Sequence, residues 1–207
     1  MKELKVRITF TEPVLGTRPA DPELHTRFVA SKAPDHKTMA QEVADLGAQE
    51  VEERGKTIFM KMEDGTPFMY SYMLKGFFKE TARALKKVAG TKTSKQTAYI
   101  KKIDNNIFVH GHLKGNPRVM PLFMPVDLDL TATDNQRPLR ADTPQGPRVA
   151  LAHSEEAPAG TYFECSIFCD IDSDVALVRE WLDRGQWKGM GQWRNGDYGL
   201  FRWEEIA

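Results

Sequence analysis

The chain has 207 residues, with 29 basic and 29 acidic side chains, so its formal net charge is zero. This length can bury a sizeable core without disulfides or metals. A neutral balance excludes a uniformly cationic surface, so nucleic-acid binding would depend on where the cations cluster. No apolar segment approaches the ~20 residues of a membrane span, and residues 1–10 lack the apolar core of a signal peptide. We therefore expect a cytoplasmic protein with no membrane partner.

The first predicted element is a strand, because Leu4, Val6, Ile8 and Phe10 alternate with polar residues. Prolines then interrupt an irregular stretch, and residues 37–54 have the pattern of an acidic helix. This acidic segment is predicted either to be solvent-exposed or to face a basic partner. Residues 57–62 predict a second strand, followed by a turn at Asp64–Gly65.

The strongest helical pattern covers residues 71–88. Leu74, Phe78 and Leu85 belong to its apolar stripe, and lysines and one arginine form a separate basic stripe at near-helical spacing. A cationic helix face can follow the phosphates of a nucleic-acid strand. A simple solvated surface is the alternative interpretation.

Residues 97–113 are expected to form a β-hairpin that turns at Asp104, Asn105 and Asn106. The proline-rich residues 114–147 are expected to be extended loops with at most one short strand near 126–130. Residues 148–154 and 161–171 predict two further strands. Cys165 and Cys169 share one face of the second, too far apart to bridge, so both thiols are expected to be free.

Ser173 predicts the start of a last helix, and Gly185 its end. A glycine-rich loop follows, and the chain closes with a strand in which Phe201 and Trp203 share a face. These elements predict an α+β fold with a ferredoxin-like (RRM-like) βαββαβ core. We expect a single domain over residues 1–207, with 12–56 and 114–147 as insertions or loops and a C-terminal glycine-rich loop.

Three segments of the sequence resemble one family. "GMGQWRNGDYGLFRW" (189–203), after the helix "VREWLDRGQWKGMG", is similar to the C-terminal glycine-rich loop of the RAMP superfamily, the RNA-binding proteins of CRISPR effector complexes. "MKMEDGTPFMYSYMLKGFFKETARAL" (60–85) resembles the strand, turn and Leu-Lys-Gly helix of backbone-type subunits. "SEEAPAGTYFECSIF" (154–168) resembles the lead into a late strand. The family's Gly-Ser-Ser before Leu-Lys-Gly is replaced here by Tyr70, Ser71, Tyr72 and Met73.

The resemblance implies a non-catalytic protein that binds single-stranded, guide-like RNA in antiviral defence, beside other effector subunits or copies of itself. No cofactor, metal or catalytic residue is expected. The residues expected to contact RNA lie on the basic helix (Lys75, Lys79, Arg83, Lys86, Lys87) and the glycine-rich loop (Lys188, Gly189, Gly191, Trp193, Arg194, Asn195, Gly196, Tyr198). Trp187 is a further stacking candidate.

Two other functions stay open under this resemblance. A solitary or phage-encoded member would act as an inhibitor or decoy of a CRISPR complex, an interpretation favoured by the neutral charge and the missing Gly-Ser-Ser. A metal-independent endoribonuclease would need a general acid or base such as His25 or His36. Separately, some backbone-type subunits of the family carry in this region an aspartate that cuts target RNA, for which Asp21 and Asp35 are available here. His110 and His112 lie on one strand face without further metal ligands indicated by the sequence.

Overall fold

The structure, a computed structural model, describes residues 1–20, 56–143 and 146–207, with the backbone alone over 139–150. The acidic helix predicted at 37–54 lies outside these ranges, as do His25, His36, Asp21 and Asp35. The chain divides into two compact units. The first comprises Met1–Val14, Lys61–Asp127 and Ala157–Ala207, and the second comprises Leu15–Met60 and Leu128–Glu156. A single domain over the whole chain stays a prediction.

The described residues contain thirteen strands and three α-helices. The strands are β1 (Lys2–Phe10), β2 (Val14–Leu15), β3 (Arg18–Pro19), β4 (Thr57–Ile58), β5 (Met60–Lys61), β6 (Pro67–Tyr70), β7 (Ile107–Gly111), β8 (Val119–Pro121), β9 (Asn135–Thr143), β10 (Gly146–Ser154), β11 (Glu156–Ala157), β12 (Tyr162–Cys169) and β13 (Phe201–Glu205). The helices are α1 (Ser71–Leu85), α2 (Tyr99–Asn106) and α3 (Asp174–Asp183). None of the described helices is both long enough and apolar enough to cross a membrane.

A four-stranded antiparallel sheet organises the first unit. Its strand order is β13-β1-β12-β7. In the chain, α1 lies between β1 and β7, and α3 lies between β12 and β13. This order and these two helical crossovers are those of a ferredoxin-like βαββαβ core. The predicted α+β fold class is therefore confirmed.

The core of this unit forms where the apolar faces of the sheet and helices meet. The alternation predicted for β1 holds, because Leu4, Val6, Ile8 and Phe10 are all at most 1% exposed. Phe10 packs edge-on against Phe201, with ring centroids 6.5 Å apart. Burial of such side chains contributes roughly 1.5–3 kcal/mol each, so the strand pattern alone accounts for much of the sheet's stability.

Helix α1 is held by its apolar stripe. Leu74, Phe78 and Leu85 are buried, and the ring of Phe78 lies 5.6 Å from that of the fully buried Trp181 on α3. Helix α3 begins directly after Ser173, as predicted, but the Ser173 side chain makes no capping hydrogen bond.

The β-hairpin predicted over 97–113 is wrong. Residues 99–106 form α2, which begins after Ala98 in the left-handed conformation (φ 51°), and only the second half of the segment is a strand. Ile103 is fully buried. The Lys102 Nζ lies 2.7 Å from the Asp174 Oδ1, and the Asp174 side chain is 1% exposed. Tertiary contacts thus stabilise a helix where the local Asp-Asn-Asn sequence indicated a turn.

The second unit is built on a sheet of order β3-β4-β10-β9. Its long β9–β10 hairpin corrects the expectation of loops over 114–147, whereas the strand predicted over 148–154 is confirmed within β10. The strand predicted over 57–62 is split into β4 and β5 at Phe59, whose amide donates to the Glu155 Oε2 at 2.8 Å.

Both cysteines are buried free thiols on β12, as predicted. Burial raises the pKa of Cys169 to about 11, and it also raises the pKa of Cys165. A protonated, shielded thiol is a poor nucleophile. The cysteines are therefore packing residues of the sheet.

Candidate functional site

The segment between α3 and β13, residues 187–200, forms a compact turn that we call the glycine bend. Its base is closed by backbone contact that only glycine permits. A Cβ at Gly189 would lie 2.1 Å from the Tyr198 carbonyl oxygen, and one at Gly199 would lie 2.0 Å from that of Met190. Gly199 also has φ +70°, a conformation costly for other residues. The two ends of the bend are thus packed backbone against backbone, which requires glycine at both positions.

Several amides of the glycine bend already have acceptors inside the protein. The Met190 amide donates to the Gly199 carbonyl at 2.9 Å, and the Gly199 amide donates to the Pro13 carbonyl at 2.8 Å. The Gly196 amide donates to the Trp193 carbonyl at 2.9 Å. Within the described part of the chain, the Gly191 amide has no acceptor, and Gly191 has φ +87°. Three of these amides are therefore engaged inside the protein, whereas the Gly189 amide, like that of Gly191, has no acceptor in the described ranges.

The rim of the glycine bend presents aromatic rings to solvent. Trp193 stacks on Tyr198 with ring centroids 4.9 Å apart and an interplanar angle of 24°. Trp193 is 37% exposed and has φ 51°, while Trp187 is 71% exposed. Asn195 is also exposed. A preformed aromatic stack at a surface is suited to hold a further flat ring.

The two cations of the glycine bend meet one carboxylate on α1. The Arg194 guanidinium donates to the Glu80 Oε2, and the Lys188 Nζ lies 3.6 Å from the same oxygen. Each of these three side chains is 37–40% exposed. Solvent therefore screens the pairs, and their contribution to stability is at most about 1 kcal/mol. The contact joins the bend to α1, so the two predicted regions are neighbours within the first unit.

Lys75 and Lys79 of α1 both turn towards Asp104 at the end of α2. The Lys79 Nζ lies 2.5 Å from the Asp104 Oδ1. The Lys75 Nζ donates to the Asp104 carbonyl at 3.2 Å and lies 5.7 Å from the centroid of the Phe108 ring. Burial lowers the pKa of Lys75, opposed by the Asp104 charge. These two lysines stabilise the packing of α2.

Lys86 likewise has internal acceptors, the carbonyls of Ser94 at 2.7 Å and Gln96 at 2.8 Å. By contrast, Arg83 and Lys87 are exposed. Among the described residues, no carboxylate forms an ion pair with either of them. Arg83 of α1 and Lys87, two residues beyond its end, are thus the predicted cations that no described carboxylate neutralises.

Sequence reasoning missed Glu80 and Asp104 as the residues that hold the predicted cations. Glu80 is the single acidic residue of α1, and its isolation within a basic helix was a visible signal. Asp104 gave no such signal, because its segment was interpreted as a turn. The contacts of the thirteen predicted RNA-binding residues with RNA stay a prediction, although the structure brings the bend and α1 together.

The open face of the four-stranded sheet carries a separate polar network. The His112 Nε2 lies 3.0 Å from the Ser166 Oγ, and the Ser166 hydroxyl donates to the Glu3 Oε1 at 2.7 Å. The His110 ring lies 5.2 Å from that of Phe168. No group of three or more His, Cys, Asp or Glu side chains in the described ranges is arranged to hold a metal ion.

Comparison with known proteins concerns the fold. No family model matches the chain, and no curated protein matches it. A chain of the type III-B Cmr-beta complex, solved by cryo-EM bound to cognate target RNA, has a TM-score of 0.52 at 11% identity, covering 100% of this chain and 60% of that chain. A chain of a type IV-B CRISPR complex has a TM-score of 0.45 at 12% identity, covering 100% of this chain and 91% of that chain. This chain thus spans 60% of the length of the Cmr-beta chain, which it resembles in fold.

Proposed function

We propose that this chain is a non-catalytic protein that binds single-stranded RNA along its sugar-phosphate backbone, as a subunit of an RNA-bound CRISPR effector complex. Other effector subunits or copies of itself are its protein partners in this proposal. The observation that carries it is the meeting of two regions at Glu80, where the glycine bend supplies aromatic rings and two cations and α1 supplies further cations. The fold likeness supports it, because the Cmr-beta chain belongs to a complex solved with target RNA.

The chemistry of the site suits an unpaired strand. Aromatic rings stack on any base, at about 1–3 kcal/mol per base, so Trp187 and the Trp193–Tyr198 stack would bind without regard to sequence. Arg194 offers a planar fork that can contact a phosphate through two N–H groups. In this complex the RNA phosphate would share or replace the Glu80 carboxylate as the partner of Arg194.

A salt titration tests this function. The unmodified protein is mixed with a fluorescein-labelled 20-nucleotide RNA of uridines, and fluorescence anisotropy gives the affinity at several salt concentrations. We expect log affinity to fall linearly with log salt, with a slope of about −0.7 for each phosphate neutralised. The double change of Lys188→Gln and Arg194→Gln should make the slope shallower, but by less than the roughly 1.4 expected for two unpaired cations, because Glu80 competes with the phosphates for both.

The matched control removes two exposed cations elsewhere in the same unit, with Lys2→Gln and Lys5→Gln on β1. It should leave the slope unchanged. Equal effects of the two double variants would show a nonspecific charge effect and contradict the proposed site. Incubation of the labelled RNA with the protein, with and without EDTA, tests the non-catalytic part of the proposal, since cleavage would identify a nuclease.

Two observations favour a second candidate, an interaction protein that inhibits or mimics an effector subunit. The cations of the glycine bend already have a carboxylate partner in Glu80, and the chain has no net charge. Such a protein would purify free of nucleic acid and bind effector subunits directly. Absorbance at 260 and 280 nm of the purified protein, followed by a pull-down with purified effector subunits, distinguishes the two functions.

A further inference from the structure

Gly76 occupies the middle of α1 without a structural reason. Glycine is the poorest helix former after proline, yet this residue is exposed and inside the helix. A Cβ built there would meet no atom within 4 Å, and its φ is not in the left-handed region. Neither close packing nor backbone conformation within the described structure therefore requires glycine. A site that a partner approaches closely would require it.

Gly76 lies on a ridge formed by Tyr72, Gly76 and Arg83 of α1 and by Lys87, two residues beyond its end, which we call the α1 ridge. Their spacings of four, seven and four residues align them along one side of a helix, and Lys79, which turns towards Asp104, lies between Gly76 and Arg83 on that side. All four are exposed. The absent side chain at Gly76 leaves a gap in this ridge between an aromatic ring and two cations.

The aromatic end of the α1 ridge is held in place. Tyr72 is 67% exposed and stacks on Tyr70, with centroids 5.5 Å apart and an interplanar angle of 21°. Tyr70 in turn makes an edge contact with Phe68 at 5.1 Å. The Tyr72 ring is thus supported on one side and solvent-accessible, which is the arrangement a stacking base needs.

The charge of the α1 ridge indicates which class of molecule could bind there. Arg83 and Lys87 have no ion-pair partner among the described residues, and the one carboxylate of α1, Glu80, is engaged with the glycine bend. A polyanion with flat rings complements both ends of the ridge.

We propose that the RNA strand runs along α1 past Gly76, with one base stacked on Tyr72 and the following phosphates at Arg83 and Lys87. This inference rests on the proposed function and adds Tyr72 and Gly76 to the contact surface that α1 supplies. Tyr72 and Arg83 are eleven residues apart, about 16 Å along the helix axis. That distance corresponds to about five nucleotides at the ~3.4 Å spacing of stacked bases. A side chain at position 76 would hold the strand away from the helix.

The test fills the gap and leaves the fold intact. Gly76→Gln adds an uncharged side chain that favours the helix, and Ala84→Gln adds the same side chain at another exposed position of α1. With the labelled 20-nucleotide uridine RNA, Gly76→Gln should weaken binding about tenfold, and Ala84→Gln less than twofold. Thermal unfolding should show Gly76→Gln at least as stable as the unmodified protein and Ala84→Gln at most slightly less stable.

Substitutions at Tyr72 test the stacking part. Tyr72→Phe keeps the ring and should bind as the unmodified protein does, whereas Tyr72→Ala should lose about tenfold in affinity. Unchanged binding by Gly76→Gln would overturn the α1 ridge while leaving the proposed function standing. Failure of the unmodified protein to bind RNA would overturn both. A changed oligomeric state of Gly76→Gln at equal RNA affinity would identify a second copy as the occupant and would also overturn the inference.

Discussion

The glycine bend and the α1 ridge lie in the same unit but differ in how their cations are held. Arg194 and Lys188 of the bend share the Glu80 carboxylate, whereas Arg83 and Lys87 of the ridge have no carboxylate partner in the described structure. Lys75, Lys79 and Lys86 resemble the bend cations in having internal partners. Counting lysines and arginines therefore overstates the charge available to a ligand.

The two regions also differ in why they contain glycine. Gly189 and Gly199 are needed because neighbouring backbone atoms fill the space of a side chain. Gly76 faces open space. Gly189 and Gly199 are thus required by the packing of the bend, whereas no described contact requires Gly76, which fits the RNA contact proposed there.

The largest expected effect tests this difference in the role of glycine. Gly199→Ala should lower the free energy of unfolding by about 2–4 kcal/mol, because it combines a left-handed φ with a clash against the Met190 carbonyl. Gly76→Ala should raise it by about 1 kcal/mol through helix propensity. Urea unfolding followed by circular dichroism measures both. Destabilisation by Gly76→Ala would contradict the open environment described for that residue.

The second largest expected effect tests which cations on or next to α1 are available to bind RNA. Replacing Arg83 and Lys87 together by glutamine should weaken binding of the uridine RNA about twentyfold at 0.1 M salt and make the salt slope shallower by about 1.4. Replacing Lys75 and Lys79 together removes the same charge but should change the slope little, because Asp104 already pairs with them. Equal salt slopes for the two double variants would contradict the distinction between cations with and without a carboxylate partner.

The smallest effect concerns the carboxylate that holds the bend. Glu80→Gln should strengthen RNA binding about threefold at 0.1 M salt, since Arg194 and Lys188 lose their internal partner, and this gain should vanish at high salt. The loss of stability should stay below about 1 kcal/mol, since all three side chains are more than a third exposed. Glu205→Gln, which frees the exposed Arg179 instead, is the control and should leave binding unchanged.

The sequence predicted the elements whose pattern is long and regular. β1, β12, α1 and α3 each alternate or repeat apolar residues over at least two turns or five positions, and each appears where expected. Together with the strands predicted at β7 and β13, their order was enough to derive the βαββαβ core, because two helical crossovers and four strands leave few alternatives. For these elements, local pattern and tertiary packing agree.

Prediction failed where tertiary contacts outweigh local signals. Asp104, Asn105 and Asn106 are typical turn residues, but burial of Ile103 and the Lys102–Asp174 pair favour a helix there. Pro138 and Pro147 obscured β9 and β10, which pair across a long hairpin. For the candidate site, the sequence predicted the cations and the aromatic rings. It did not predict Glu80 as the partner of the bend cations, because an ion pair between distant elements gives no signal in the spacing of residues along the chain.

The position of β13 at the edge of the four-stranded sheet constrains any larger assembly. An unpaired outer edge can recruit the strand of a neighbouring molecule, and charged side chains oppose this. β13 is only five residues long and exposes Arg202, Glu204 and Glu205. If several copies bind one RNA strand as proposed, we therefore expect them to separate when the RNA is digested. We do not expect their sheet edges to pair into a continuous fibre.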